Sequence, residues 1–200
     1  MRRIAIIDYG VGNLRSVEKA FAANAVDAIV TSSVDEIEKA AKLVLPGVGA
    51  FASCMRGLQE HGFDQLVMDR VAAGVPLLGV CVGMQMLFEE SEEFGTTKGL
   101  GILPGRVCRF RDDLLVPQVG WNSIRQCHEH PLFNGISNDE FFYFVHSYYC
   151  EPRDPDTIVG LTEYGATYAS VVAKDNVAGV QFHPEKSQAT GLRMLANFAK

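Results

Sequence analysis

The stretch best suited to covalent chemistry is "GVCVGMQ", residues 79–85. Gly79, Cys81 and Gly83 form G-x-C-x-G, the cysteine counterpart of the nucleophile elbow, where an apolar run ends and a helical stretch begins. The spacing has a physical reason. A nucleophile on a tight strand-to-helix turn is crowded by side chains two positions to either side, and glycine removes them while tolerating unusual backbone angles. The helix that follows directs its N-terminus at Cys81, which favours a thiolate, and it offers the Val82 N–H to a developing oxyanion. A buried cysteine at a strand end, with glycines for packing, also accounts for the pattern.

The choice between these readings turns on a base and a group to orient it. The five histidines are His61, His128, His130, His146 and His183. Only His183 has a carboxylate at a useful fixed spacing, in "QFHPEKS", residues 181–187. Pro184 biases His183 toward an extended conformation, in which residues i and i+2 point the same way. His183 and Glu185 should therefore share a face, with Glu185 holding the imidazole in its tautomer and stabilising its cation. Elbow and H-P-E together predict a Cys81–His183–Glu185 triad. A second oxyanion donor is expected from "LVLPGVGAF", residues 43–51, where Gly47 and Gly49 flank Val48 and leave its backbone N–H unobstructed. A plain strand-to-helix turn is the other reading of that stretch. "DYGVGN", residues 8–13, departs from G-x-G-x-x-G because position 15 is Arg, so a tight turn is expected and not a dinucleotide site.

These residues need strand ends to carry them. "RRIAIIDYG", "DAIVTS", "KLVLPG" and "VPLLGV" read as strands, the nearly continuous apolar ones as strands covered on both faces. Helical stretches alternate with them. Leu14, Val17, Phe21 and Ala25 form one stripe behind Asn13 as N-cap, "VDEIEKAA" follows, two helices lie around 51–72, and "GMQMLFEESEE" reads as another. Such alternation predicts an α/β fold with a mostly parallel open sheet flanked by helices. After residue 95, "RVCRF", "EFFYFVHSYYC", "TIVGLTEY", "TYASVVAK" and "VAGVQF" read as strands of a more antiparallel extension, closed by the helix "QATGLRMLANFA". No linker, repeat or low-complexity stretch divides residues 1–200, so one domain is expected.

Composition narrows the classes. The chain has 200 residues, 48% hydrophobic and 21% charged, as in an ordinary globular protein. A net charge of −6 argues against nucleic acid as the main partner. The apolar runs are too short and interrupted to span a membrane, and Asp8 cuts off the first one too early for a signal peptide. Five cysteines with no CxxC spacing argue against a disulfide framework and a zinc site, and point to reduced thiols in a cytoplasmic protein.

"PGVGAF", "GVCVGMQ" and "QFHPEKSQ", in this order, resemble class I glutamine amidotransferases, and the likeness covers essentially the whole chain. "DYGVGN", "GWN" (120–122), "YFVHSYY" (143–149) and "EKSQ" narrow it to the glutaminase subunits that serve histidine biosynthesis. The resemblance implies a flavodoxin-like fold, L-glutamine as substrate, a γ-glutamyl thioester on Cys81, and no metal or cofactor. It implies that ammonia passes to a separate barrel-shaped synthase (cyclase) subunit in a heterodimer. By the family's motifs, Val48 and Val82 would supply the oxyanion donors. Gly47, Gly49, Gln85, His146, Ser147 and Tyr148 would surround glutamine. Asn13, Trp121 and Lys186 would face the partner. One departure stands out: "PQV" precedes "GWN", so Gln118 and Val119 sit where relatives more often carry histidine and methionine. The competing readings are a glutaminase subunit of another synthase, such as that for pyridoxal phosphate, a partner-independent cysteine hydrolase, and a non-catalytic binding module. Length also favours a partner, since one glutaminase domain fills the chain and leaves no room to bind an ammonia acceptor.

Overall fold

The computed structural model describes residues 3–111 and 113–200. In its first half, β1 (Ile4–Ile7), α1 (Leu14–Ala22), β2 (Ala28–Thr31), α2 (Val34–Lys39), β3 (Lys42–Gly47), α3 (Phe51–Glu60), α4 (Phe63–Ala72) and β4 (Leu77–Cys81) alternate as expected. β1 and β4 are buried along their whole length, and β3 from its second residue on, as in parallel strands covered on both faces. α1 buries Val17, Ala20 and Phe21 and packs on β1 and β2. Ala25 lies beyond the helix, with φ 55°, so the expected stripe ends one turn early.

A four-residue helix α5 (Val82–Gln85) follows Cys81, and then β5 (Phe88–Ser91), β6 (Thr97–Lys98), β7 (Leu103–Arg109), β8 (Gln118–Gln126), β9 (Glu140–His146), β10 (Tyr148–Pro152), β11 (Ile158–Glu163), β12 (Thr167–Lys174), β13 (Val177–Val180) and α6 (Gln188–Ala199). The expected helix over "GMQMLFEESEE" is therefore corrected to one short turn and a strand. Phe88, Glu90 and Ser91 pair in parallel with β7, and a register shift between Phe88 and Glu90 lets both Phe88 and Ser91 be buried while Glu90 stays in solvent. The expected single strand over 140–150 is two. The chain changes neighbours at Ser147, leaving β8 and joining β7. β8 carried no strand expectation, because its largely polar sequence "QVGWNSIRQ" gives little alternation.

The sheet runs β2-β1-β3-β4-β13-β12-β10-β7-β5-β6, with β11, β8 and β9 branching from β12. β2, β1, β3, β4 and β13 are mutually parallel, and β12 turns the direction over. The result is the mostly parallel α/β sheet with an antiparallel extension that the alternation predicts. Its register fixes the site. Gly47 stands opposite Cys81, and Val180 opposite Val80. Three neighbouring strands thus end at one edge, and the segments leaving them carry residues 47–49, Cys81 and His183. Carboxyl ends of adjacent parallel strands are where open α/β sheets place ligands. No helix among the described residues is long and apolar enough to cross a membrane.

Candidate active site

Cys81 ends β4 with φ 56° and ψ −114°, a backbone conformation that L-residues seldom adopt. Such a conformation costs about 1–3 kcal/mol and persists only where its surroundings enforce it. Here they do. A Cβ added at Gly79 would lie 2.6 Å from the Gly83 carbonyl oxygen, and one added at Gly83 would overlap the Leu45 carbonyl. The elbow therefore closes backbone on backbone, and the two glycines are needed for close approach more than for dihedral freedom. The cysteine, 3% exposed, is presented at the floor of a cavity of about 360 Å³.

His183 reaches that floor from the segment after β13. Its backbone is extended, φ −101° and ψ 97°, as Pro184 demands, but Pro184–Lys186 then forms a single 3₁₀ turn. The expected shared face of an extended strand is thus replaced by a tight turn. The contact survives: His183 Nδ1 lies 2.9 Å from Glu185 Oε1. The imidazole also hydrogen-bonds Cys81, which falls to Nε2 because Nδ1 is engaged. Burial by itself would lower the imidazole pKa; the hydrogen bonds with Cys81 and Glu185 and the charges of both outweigh it and raise it to about 10. The arrangement favours an imidazolium held between Cys81 and Glu185.

Two further side chains brace this line. Asn13, the expected N-cap of α1 and expected partner residue, makes no side-chain cap; its Nδ2 donates to Glu185 Oε1 at 3.3 Å. Gln181, fully buried, points Nε2 at Cys81 Sγ at 3.9 Å, and its Oε1 accepts from Gln85 Nε2 at 3.1 Å. Sequence reasoning missed Gln181. The available signal was a polar residue inside the apolar run "VAGVQF".

The cavity brings together Val48, Gly49, Cys81, Val82, Gln85, His146, Ser147, Tyr148, His183 and Lys186 from the expected set. Gly47 packs behind it, where an added Cβ would meet Gly83 N at 2.7 Å, and Glu185 and Asn13 stand behind His183. Gly49 has φ +86°, so the 47–49 turn needs glycine there. Glu93, Pro117 and Val145 also line the cavity and were not anticipated. Glu93 Oε2 accepts from the Phe51 N–H at 2.6 Å, which ties it to the start of α3.

Trp121 lies outside the cavity. Period-two alternation of β8 and β9 places Val119, Trp121 and Phe141 on the outward face, 59%, 47% and 55% exposed. Trp121 meets Tyr143 edge-on at 6.0 Å, and Lys186 Nζ sits 5.8 Å over the Tyr143 ring. Of the two departures, Val119 joins this exposed face. Gln118 turns inward, and its Oε1 accepts from Tyr168 Oη at 2.9 Å.

Tyr168 leads on to His146, whose Nδ1 contacts the Tyr148 carbonyl at 2.8 Å and whose Nε2 lies 3.2 Å from Tyr168 Oη. Burial pushes the His146 pKa down to about 4, against the Tyr148 carbonyl, which raises it. The folded protein thus resists a proton that the unfolded chain accepts near pH 6.5. The sign follows: the contribution is complete above pH 6.5 and is lost as pH falls toward 4, a span worth about 3 kcal/mol at ~1.36 kcal/mol per pKa unit. Urea unfolding midpoints should fall over that range, and His146→Gln should flatten the slope. An equal slope in the variant would show that other groups carry it.

A family model described as "Glutamine amidotransferase class-I" matches residues 5–200. The chain is 49% identical over 200 residues to the imidazole glycerol phosphate synthase subunit HisH of Symbiobacterium thermophilum, covering 100% of this chain and 94% of that protein. It is 50% identical over 202 residues to the protein of the same name in Syntrophotalea carbinolica, covering 98% of each. Among solved structures, a glutamine amidotransferase superposes with TM-score 0.77 at 19% identity, over 98% of both chains. PurLQS from Thermotoga maritima gives TM-score 0.78 at 15% identity, covering 98% of this chain and 97% of that one. With the elbow, the buried histidine and its carboxylate already located, these matches place the chain in the class I glutamine amidotransferase family.

Proposed function

We propose that this protein is the glutaminase subunit of an imidazole glycerol phosphate synthase, acting in histidine biosynthesis as one domain over residues 1–200. The reading is supported by the relatives of that name, about half identical along their whole length. The single observation that carries its chemistry is the contact line Cys81–His183–Glu185 at the floor of the cavity.

The geometry implies the following course. The Cys81 thiolate attacks the side-chain carbonyl carbon of L-glutamine. The oxyanion that forms is held by the Val82 N–H and by the backbone of the 47–49 turn. His183 gives its proton to the departing nitrogen, so ammonia leaves and a γ-glutamyl thioester remains. Water then attacks the thioester, its proton passes to His183, and glutamate is released with the thiolate restored. The sum is glutamine plus water to glutamate plus ammonia. Glu185, steadied by Asn13, keeps Nδ1–H of His183 in place throughout. Gln85, His146, Ser147 and Tyr148 shape the glutamine pocket. Glu93 is the carboxylate on the cavity wall suited to the substrate's α-ammonium group.

The partner would be the synthase's separate barrel-shaped cyclase subunit, joined as a heterodimer in the cytoplasm, and it would take up the ammonia. The outward face of β8 and β9 is the surface proposed for it. Val119, Trp121 and Phe141 expose apolar area there, and Lys186 adds a charge beside the active-site mouth. An exposed tryptophan on such a face is the usual centre of binding energy. Trp121→Ala should weaken the complex by about 2 kcal/mol or more, roughly 30-fold in Kd. Titration calorimetry with the synthase subunit measures this directly; an unchanged Kd would move the interface elsewhere.

Ammonia release from glutamine, followed with and without the synthase subunit and its nucleotide ligand, tests the reading as a whole. Turnover of peptides or esters without any partner would favour a cysteine hydrolase. Co-purification with a pyridoxal phosphate synthase would favour the other glutaminase.

A further inference from the structure

Behind the 47–49 turn stand two buried side chains for which the proposed reaction has no use. Tyr9, 1% exposed, follows β1, and its Oη donates to the Pro46 carbonyl at 2.6 Å. Cys54, fully buried on α3, directs Sγ at the Val48 carbonyl at 3.3 Å. The polar ends of Tyr9 and Cys54 lie within hydrogen-bond reach of each other. Gly57 makes room for the tyrosine, since a Cβ there would meet the Tyr9 ring at 3.2 Å and its carbonyl oxygen at 2.9 Å.

The two carbonyls belong to different peptide units. Pro46 O is on the peptide that precedes Gly47, and Val48 O is on the peptide that precedes Gly49. Between them lies one unit, Gly47–Val48, whose N–H is that of Val48. We infer that Tyr9 and Cys54 are positioning residues that clamp the oxyanion turn from behind, so that reorientation of the turn is confined to the Gly47–Val48 peptide. The inference rests on the glutaminase reading above.

The chemistry of the two donors suits a clamp. A phenol and a thiol each carry one proton, and each needs an acceptor when buried. Burial raises the pKa of both groups, so both keep that proton at neutral pH and stay donors. A carbonyl so held costs energy to rotate away, because it would give up its buried donor. The middle peptide is flanked by fixed neighbours and by glycine at 47 and 49, so it alone turns cheaply.

The test is steady-state glutaminase kinetics on the complex with the synthase subunit, comparing wild type with Cys54→Ala, Cys54→Ser and Tyr9→Phe. With the clamp released, the turn samples orientations that leave the oxyanion unsupported. Cys54→Ala and Tyr9→Phe should each lower kcat about tenfold, with KM for glutamine within about twofold. Cys54→Ser, which keeps a donor at the same place, should recover most of the loss. Tyr9→Phe removes a single oxygen and keeps the comparison readable if Cys54→Ala unfolds. Unchanged kcat in Cys54→Ala and Tyr9→Phe, or losses that serine does not recover in a folded protein, would overturn the clamp and leave the glutaminase reading standing. A wild-type complex that releases no ammonia from glutamine would overturn both.

Discussion

Cys81→Ala and His183→Ala are each expected to lower ammonia release by about three to six orders of magnitude, with little further loss when combined. The reason is the shared proton. His183 is held as a cation by its contacts with Cys81 and Glu185, so nucleophile and acid form one unit, and removing either disarms both. Glu185→Gln should cost less, because that side chain orients the imidazole and carries no proton in the reaction. A glutamine-shaped electrophile should label one site. Burial raises the thiol pKa of Cys54, Cys127 and Cys150, and that of Cys108 to about 11, whereas Cys81 alone shares a cavity wall with His183. Mass spectrometry of the labelled protein checks this. Equal labelling at the other four cysteines, or near-wild-type turnover in His183→Ala, would remove the triad assignment, with His146 the next histidine in the cavity.

What could be read from the sequence follows from how far each physical signal reaches. Strands β1 and β4 are apolar throughout, and β3 is apolar after Lys42, so both their existence and their burial are local facts. The elbow is legible because backbone contact at Gly79 and Gly83 forces glycine at fixed positions around Cys81. His183 and Glu185 are two residues apart, so their pairing survives even though the turn between them is 3₁₀ and not extended. Contacts that join distant segments left no such trace. Asn13 looks like a helix cap from its neighbours, yet its amide spans 172 positions to Glu185. Gln181 reaches Cys81 across 100 positions, and Cys54 could not be told from a packing residue. Residues 83–93 misread for a related reason. Their apolar spacing fits a helix, and only pairing with β7, further along the chain, makes Phe88–Ser91 a strand.

Glutamine turnover is expected to be weak in the isolated chain and to rise about 100- to 1000-fold in kcat when the synthase subunit and its ligand bind. The magnitude is that of one oxyanion donor, about 2.7–4 kcal/mol. The donor in question is the Val48 N–H, on the Gly47–Val48 peptide. In the proposed switch, one orientation of that peptide would turn its carbonyl toward the substrate, where it would repel an oxyanion, and the other would turn the N–H there. A path from the proposed docking face to the triad is built into the backbone. Tyr143, beneath Trp121 and Lys186, accepts from the His183 N–H at 2.9 Å and donates to Ser187 Oγ at 3.0 Å, and Ser187 Oγ donates back to the His183 carbonyl at 2.6 Å. A partner that orders β9 therefore also orders the segment that carries the base. A ligand can shift this equilibrium only by the difference in its affinity for the two states, so the full stimulation needs a partner that binds the competent form at least 100-fold more tightly, by about 2.7 kcal/mol. Because the donor acts on the transition state, KM for glutamine should change little. Steady-state kinetics on the chain alone, with the synthase subunit, and with its ligand added would settle the matter: full activity in the isolated chain, or stimulation confined to KM, rules the peptide switch out.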